Sequence, residues 1–385
     1  MYSILLVIIY IAFISLGLPD SILGSAWPSM YQEMKVPVSY AGIVSMIISA
    51  CTIISSMNVN RIVAKLGTGL MTALSVAMTA VALFGFAGSD SFLMLCLWAV
   101  PYGLGAGCVD AALNNFVALH YKSKHMNWLH SFWGIGATVG PYIMGFCLSA
   151  GMRWTRGYFI IGLIQIILSA GMFLSLPLWK GSAGEQTDEK ENIKILSLKE
   201  ILKMRGAKSA FAGFFCYCAV EVTTGLWASS FMTLYCGIDV ETAARWAALF
   251  YMGITIGRFF SGFLADRLGD KNMIRLGQVI IFVGIICLFV ARTPYMVLAG
   301  LLFIGLGCAP VYPSMIHATP KNFGEENSQA MIGVQMGFAY AGTTLMPPIF
   351  GWIAERISIG CFIPYLFIFW ILMVLFLENL SRRVR

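Results

Sequence analysis

Apolar runs of membrane-crossing length recur along this chain from end to end. An α-helix rises 1.5 Å per residue, so about 20 largely apolar residues are needed to cross the hydrocarbon core of a bilayer. Runs of that size fall near 3–27, 40–58, 70–88, 92–118, 128–149, 158–178, 209–235, 244–264, 274–291, 295–316, 328–353 and 360–378. They predict an all-α membrane protein with twelve transmembrane helices. Composition excludes a soluble domain: 59% of the 385 residues are hydrophobic and 11% charged, against about 25% charged in soluble proteins.

The remaining charges set orientation. With the N-terminus in the cytoplasm, 18 of the 25 Lys and Arg lie on the cytoplasmic side, six outside and one, Arg258, within a span. The positive-inside rule therefore places both termini in the cytoplasm. The net charge of +7 is scattered in short connections with no aromatic-interleaved basic patch, so nucleic acid is not a partner. The N-terminus lacks a basic n-region and its apolar run continues through Leu18 to Trp27, as a first span does rather than a cleaved signal. The ten cysteines lie almost all inside apolar runs and read as small core residues, not as a disulfide framework or metal site.

Two halves repeat. Tyr102-Gly-Leu-Gly-Ala-Gly107 recurs as Ile304-Gly-Leu-Gly-Cys308, Gly140-Pro-Tyr-Ile-Met-Gly145 as Met346-Pro-Pro-Ile-Phe-Gly351, and Lys65-Leu-Gly67 as Arg267-Leu-Gly269. The single long connection carries Gly181-Ser-Ala-Gly184, mixed charges, and Ser197-Leu-Lys-Glu200, a capping-box spacing that opens a short interfacial helix. This divides the chain into an N-terminal six-helix bundle (1–178), a cytoplasmic central loop (179–208) and a C-terminal six-helix bundle (209–385). Such a layout resembles the major facilitator superfamily, a 6+6 pseudo-symmetric fold. Gly262-Phe-Leu-Ala-Asp266-Arg-Leu-Gly269-Asp-Lys271 looks like that superfamily's signature cytoplasmic loop. The resemblance implies gating roles for Gly262, Asp266, Arg267 and Gly269, with Arg258 close by. The first-half counterpart, Asn60 to Gly67, lacks the acid.

Of 18 Asp and Glu, only Asp20, Asp110 and Glu221 fall deep inside spans. A charge at the bilayer centre costs about 2.5–3.5 kcal/mol on insertion scales, so such residues normally face a cavity and serve a pathway. They sit on the first, fourth and seventh spans, which line the central cavity in the facilitator layout. Gly103, Gly107, Asp110 and Asn114 share one helical stripe, as do Tyr217, Glu221, Thr224 and Ala228. Arg258 is the one basic residue within a span, so at most one acid finds a salt-bridge partner there. The others are expected to take up a proton or a cation, because desolvation disfavours the charged form. Hydrogen bonding to neighbours without titration is the alternative; sodium is a weaker one, since no cluster of hard oxygen ligands is evident.

Within the superfamily the chain resembles the fucose–galactose–glucose:proton symporter branch. Gly17-Leu-Pro-Asp20-Ser-Ile-Leu-Gly24 is similar to that branch's first helix, and Gly107-Cys-Val-Asp110-Ala-Ala-Leu-Asn114-Asn-Phe-Val117 to its fourth. Asn127-Trp-Leu-His130-Ser-Phe-Trp133-Gly-Ile-Gly136 is similar to a stretch that places amides against the sugar. The resemblance implies protonation at Asp110 and a need for Asp20 in transport; Asp20 and, from its place in the seventh span, Glu221 are read as coupling or binding acids, and Asn114, His130 and Trp133 as ligand contacts. His130, Trp133 and Gly17 depart from the branch, which uses Gln, Asn and Asn there, so coupling transfers better than sugar identity. Gln165, Trp227, Tyr312 and Gln335 complete the candidates, aromatic faces for sugar C–H surfaces and amides for hydroxyls.

The expectation is secondary active transport of a sugar or similar small polar molecule by proton-coupled symport, in a bacterial inner membrane, with no cofactor beyond the coupling proton and a monomer as the working unit. Two alternatives stay open: a proton-driven exporter, because the Gly–Pro pattern of the fifth span is frequent in antiporters, and a non-transporting membrane sensor. An enzyme is not expected, since no nucleophile and base pair or metal-spaced His/Cys set appears.

Overall fold

The structure, a computed structural model, describes residues 2–20, 22–37, 40–181 and 195–384. Among them there is no strand. The helices are α1 (Tyr2–Asp20), α2 (Ile22–Glu33), α3 (Ala41–Leu66), α4 (Thr68–Ala87), α5 (Phe92–His120), α6 (Ser123–Ser149), α7 (Trp154–Leu174) and α8 (Leu176–Gly181). After them come α9 (Leu198–Lys203), α10 (Ala207–Leu234), α11 (Val240–Phe289), α12 (Pro294–His317), α13 (Thr319–Phe323), α14 (Glu325–Arg356) and α15 (Phe362–Arg383). Ten of the described helices are long and apolar enough to cross a membrane, with Ile4–Glu33 counted as one. Residues 182–194 of the expected central loop lie outside the described residues, while α9 carries its capping box: Ser197 Oγ accepts from Glu200 N and Glu200 Oε2 accepts from Ser197 N at 2.7 Å.

Two helices differ from the count read off the apolar runs, for physical reasons. α11 spans 50 residues because a short turn at Gly269 joins two arms that the apolar runs separate. α14 runs 32 residues but carries Gln329, Gln335, Thr343 and Thr344, which hold its hydropathy below that of the other long helices. α3 also runs past its apolar stretch, through Arg61 and Lys65 to Leu66, and its hydrogen bonding continues until a glycine ends it. Gly67 ends α3 at φ 75°, ψ 160°, and Gly269 breaks α11 at φ 74°, ψ 157°. This region is essentially closed to residues with a Cβ, so the repeated Lys-Leu-Gly and Arg-Leu-Gly of the sequence make the same turn.

The described chain forms two compact units, Met1–Phe116 with Leu129–Leu196, and Val117–Trp128 with Ser197–Arg385. The segment between α5 and α6 therefore packs with the second unit. In the first unit, Leu18, Ile22, Trp27, Leu83, Phe86, Tyr102, Trp154 and Tyr158 build a continuous apolar core from α1, α2, α4, α5 and α7. Glycines let its helices touch through their backbones: a side chain on Gly103 or Gly107 of α5 would overlap the carbonyl oxygens of Ile48 and Thr52 of α3. In the second unit the matching run on α12 does the same work. A Cβ on Gly305 would lie 2.5 Å from Phe250 O, and one on Gly307 2.7 Å from Gly277 O.

Gly269→Ala is expected to cost about 1–3 kcal/mol, the strain of a backbone region that only glycine enters freely. Thermal unfolding in detergent checks this against Gly42→Ala, whose Cβ meets nothing within 4 Å.

Candidate functional site

In the first unit, α1 ends on Asp20, whose two carboxylate oxygens are held separately. The Tyr102 hydroxyl of α5 donates to Oδ1 at 2.9 Å, and the Trp133 indole N–H of α6 donates to Oδ2 at 2.8 Å. The close approach of α1 to α6 makes this possible. A Cβ on Gly17 would overlap the Trp133 carbonyl, and side chains on Gly136 and Gly140 would overlap those of Ile14 and Leu18. At Gly17 the space is taken by the backbone of α6, so no side chain fits there whatever stands at position 133. Trp133 is placed as an Asp20 donor.

A second carboxylate lies deeper. Asp110 is 5% exposed and accepts from Asn114 Nδ2 at 2.8 Å, one helical turn along α5. The same amide nitrogen also donates to the Asp110 carbonyl at 2.9 Å. Asn114 Oδ1 faces His130 Nε2 of α6 at 3.1 Å, and since an amide oxygen only accepts, Nε2 carries the hydrogen. The His130 ring meets Phe13 edge-on at 5.5 Å. Asp110, Asn114 and His130, expected as separate coupling and ligand residues, form one buried hydrogen-bonded chain. Gln165 serves another purpose: its Nε2 donates to the Ser15 carbonyl at 2.6 Å, tying α7 to α1, while its Oε1 has no hydrogen-bond partner among the described residues.

In the second unit, Glu221 of α10 has a counter-ion. Arg258 Nη2 of α11 lies 3.2 Å from Glu221 Oε1, with side chains 7% and 16% exposed respectively. Arg258, expected beside the cytoplasmic loop, is therefore engaged with the acid, and its guanidinium sits 5.9 Å from the Tyr312 ring centroid. Tyr312 also donates to Met336 Sδ at 3.3 Å and packs on Phe214 and Tyr217. The remaining two candidates join helices: Trp227 Nε1 donates to Pro347 O at 3.0 Å, and the Thr319 hydroxyl donates to Gln335 Oε1 at 2.9 Å.

The signature loop has partners of its own within this unit. A Cβ on Gly262 would overlap the Trp128 indole, so the glycine admits that ring. Asp266 Oδ2 faces Lys124 Nζ at 3.8 Å, whereas Arg267 is exposed. Asp270 accepts from the Ser123 hydroxyl at 2.6 Å and faces His317 Nδ1 at 2.8 Å, while His317 Nε2 faces the Tyr121 carbonyl at 2.9 Å. Residue-by-residue reading missed Tyr102, Lys124, Ser123 and Asp270 because each acts across helices far apart in sequence.

Asn114→Ala removes the amide that bonds both Asp110 and His130, at about 0.5–1.5 kcal/mol for each buried hydrogen bond lost. Thermal unfolding of the detergent-purified protein is expected to show that loss. Unchanged stability would remove the chain from the account.

The Major Facilitator Superfamily model matches residues 9–244 and 209–379. The chain is similar to Bypass of stop codon protein 6 of Saccharomyces cerevisiae, with 24% identity covering 95% of this chain and 79% of that one. It is also similar to the cis,cis-muconate transport protein of Acinetobacter baylyi, at 22% identity over 77% of this chain and 74% of that one. In structure it resembles the E. coli fucose:proton symporter FucP, with a TM-score of 0.77, 15% identity and 99% of each chain covered. That identity speaks for the fold alone, but the family match spans nearly the whole sequence. The chain belongs to the Major Facilitator Superfamily, a family of transporters and not of enzymes, and is a multi-pass membrane protein of that fold.

Proposed function

We propose that the protein is a proton-coupled symporter of a sugar or similar small polar molecule, working by alternating access. The observation that carries this reading is the buried Asp110–Asn114–His130 chain. A carboxylate taken out of water favours its protonated form, and a neutral amide and imidazole next to it answer a change of charge by turning donors and acceptors. Asp110 is the proton carrier. Asp20 couples through Trp133 and Tyr102, so that a ligand contacting the indole also touches the acid's hydrogen bonding. The fold is shared with a fucose:proton symporter, which is consistent with a sugar-like substrate. A muconate transporter among the relatives keeps acids within the substrate range.

In this reading the two arms of α11 and the helix α14 join the other long helices to make twelve crossings with both termini in the cytoplasm. The six-helix bundles are 1–178 and 209–385, and the working unit is a monomer in a bacterial inner membrane. The signature loop gates the cytoplasmic side through Gly262, Asp266, Arg267 and Gly269.

Uptake into proteoliposomes under an imposed inward proton gradient, with a panel of neutral and acidic sugars, tests the proposal. Wild type is expected to concentrate a member of the panel, and Asp110→Asn to lose concentration altogether, reaching equal internal and external substrate whatever the gradient. Accumulation that ignores the gradient contradicts symport. Efflux driven by inward protons identifies an exporter, and binding without movement of any panel member identifies a sensor.

A further inference from the structure

The ion pair of the second unit points to a ligand class. Arg258 is 6% exposed, and its Nε has no hydrogen-bond partner among the described residues. A guanidinium presents five N–H donors in a planar fork and takes carboxylates two bonds at a time. Here one tine, Nη2, points to Glu221 and the neighbouring Nε is open. Burying a donor of a charged group without a partner is costly, so an open Nε beside a half-satisfied fork is a place for an acceptor. Glu221 retains 16% side-chain exposure against 7% for Arg258, so the pair is less enclosed on the glutamate side.

We propose that Arg258 and Glu221 form a subsite for a ligand carboxylate, and that the transported sugar-like molecule is a sugar acid whose entry places a proton on Glu221. Empty, the subsite carries one positive and one negative charge. A ligand carboxylate on Arg258 brings a second negative charge against Glu221, and like charges so close do not both persist in an apolar interior. A proton bound to Glu221 as the ligand carboxylate takes over the guanidinium restores neutrality, with no bond made or broken beyond the O–H on Glu221. The other titratable groups facing the pair are Tyr217, Cys218, Tyr251, Cys308 and Tyr312. All are neutral when protonated, so Arg258 and Glu221 are the charged groups of this cluster. Tyr217 is fixed by donating to the Cys308 carbonyl at 3.0 Å, and the Tyr312 ring backs the guanidinium.

This inference rests on the symport reading for the sugar part of the ligand, and its test separates the two. Binding to the purified full chain in detergent is measured by calorimetry at pH 6 and pH 8 with two matched pairs, glucuronate against glucose and galacturonate against galactose. At pH 6 one uronate is expected to bind about tenfold or more tightly than its neutral partner, the scale of hydrogen bonds to a charged group, and to weaken at pH 8. Glu221→Gln is expected to keep uronate binding and make it equal at the two pH values. Arg258→Gln should bring the members of each pair within twofold. Removing one partner of a buried pair can itself unfold a protein, so the Glu221→Gln/Arg258→Gln double variant, with no stranded charge, repeats that measurement. Neutral sugars binding as well as the uronates, no uronate binding, or a preference surviving the loss of Arg258 overturns the subsite. Gradient-driven accumulation of a neutral sugar without uronate preference sinks this inference and leaves symport standing. Uronate binding that depends on Arg258, with no response of accumulation to the gradient, sinks symport and with it the proton on Glu221, and leaves only the carboxylate contact on Arg258 standing.

Discussion

A carboxylate moved from water into an apolar helix bundle loses hydration worth several kcal/mol, and recovers it only from a counter-charge, a proton or well-aimed hydrogen bonds. The three acids within the helices of this chain, of which Asp110 is buried, Glu221 partly buried and Asp20 exposed, are held in different ways. Asp20 is held by two N–H and O–H donors from different helices, and Glu221 has a guanidinium at 3.2 Å. Asp110, at 5% exposure, is joined to an amide and through it to an imidazole. A guanidinium fixes a charge in place, whereas an amide and an imidazole accept either state of the acid beside them. That difference is why the transported proton is proposed at Asp110, and why at the Arg258 pair a proton on Glu221 is proposed only once a ligand carboxylate takes over the guanidinium.

Holding these groups at hydrogen-bond distance requires helices that approach through their backbones. α1 and α6 meet where Gly17, Gly136 and Gly140 have no side chains to separate them, and the Trp133–Asp20 bond forms across that contact. α5 meets α3 through Gly103 and Gly107, which brings the stripe that ends in Asp110 and Asn114 against its neighbours. Without a hydrophobic driving force between helices in lipid, this close packing and the polar contacts it permits are what hold a bundle together.

Much of this was legible in the sequence because helical periodicity is local. The stripe of Gly103, Gly107, Asp110 and Asn114 follows from spacing alone, and the Asn114–Asp110 bond is its direct product. Lys65-Leu-Gly67 and Arg267-Leu-Gly269 repeat in sequence and share backbone angles within a few degrees. Through-space partners were not legible. Arg258 lies 37 positions from Glu221, and Asp270 lies 147 from Ser123. No spacing rule reaches that far, so Arg258 was read with the cytoplasmic loop that follows it in sequence. Gln335 reads as a ligand amide by residue type alone, whereas its neighbour Thr319 uses that amide to join α13 to α14.

The central claim is that Asp110 titrates during the transport cycle and is not merely a hydrogen-bonded fixture. Counterflow, the exchange of labelled external substrate for unlabelled internal substrate at equal pH, separates these roles, because exchange needs binding and alternation but no net proton release. The account predicts that Asp110→Asn exchanges substrate at a rate close to wild type while failing to accumulate it under a gradient. Loss of both exchange and accumulation in a correctly folded variant would contradict it and return Asp110 to a structural or binding role.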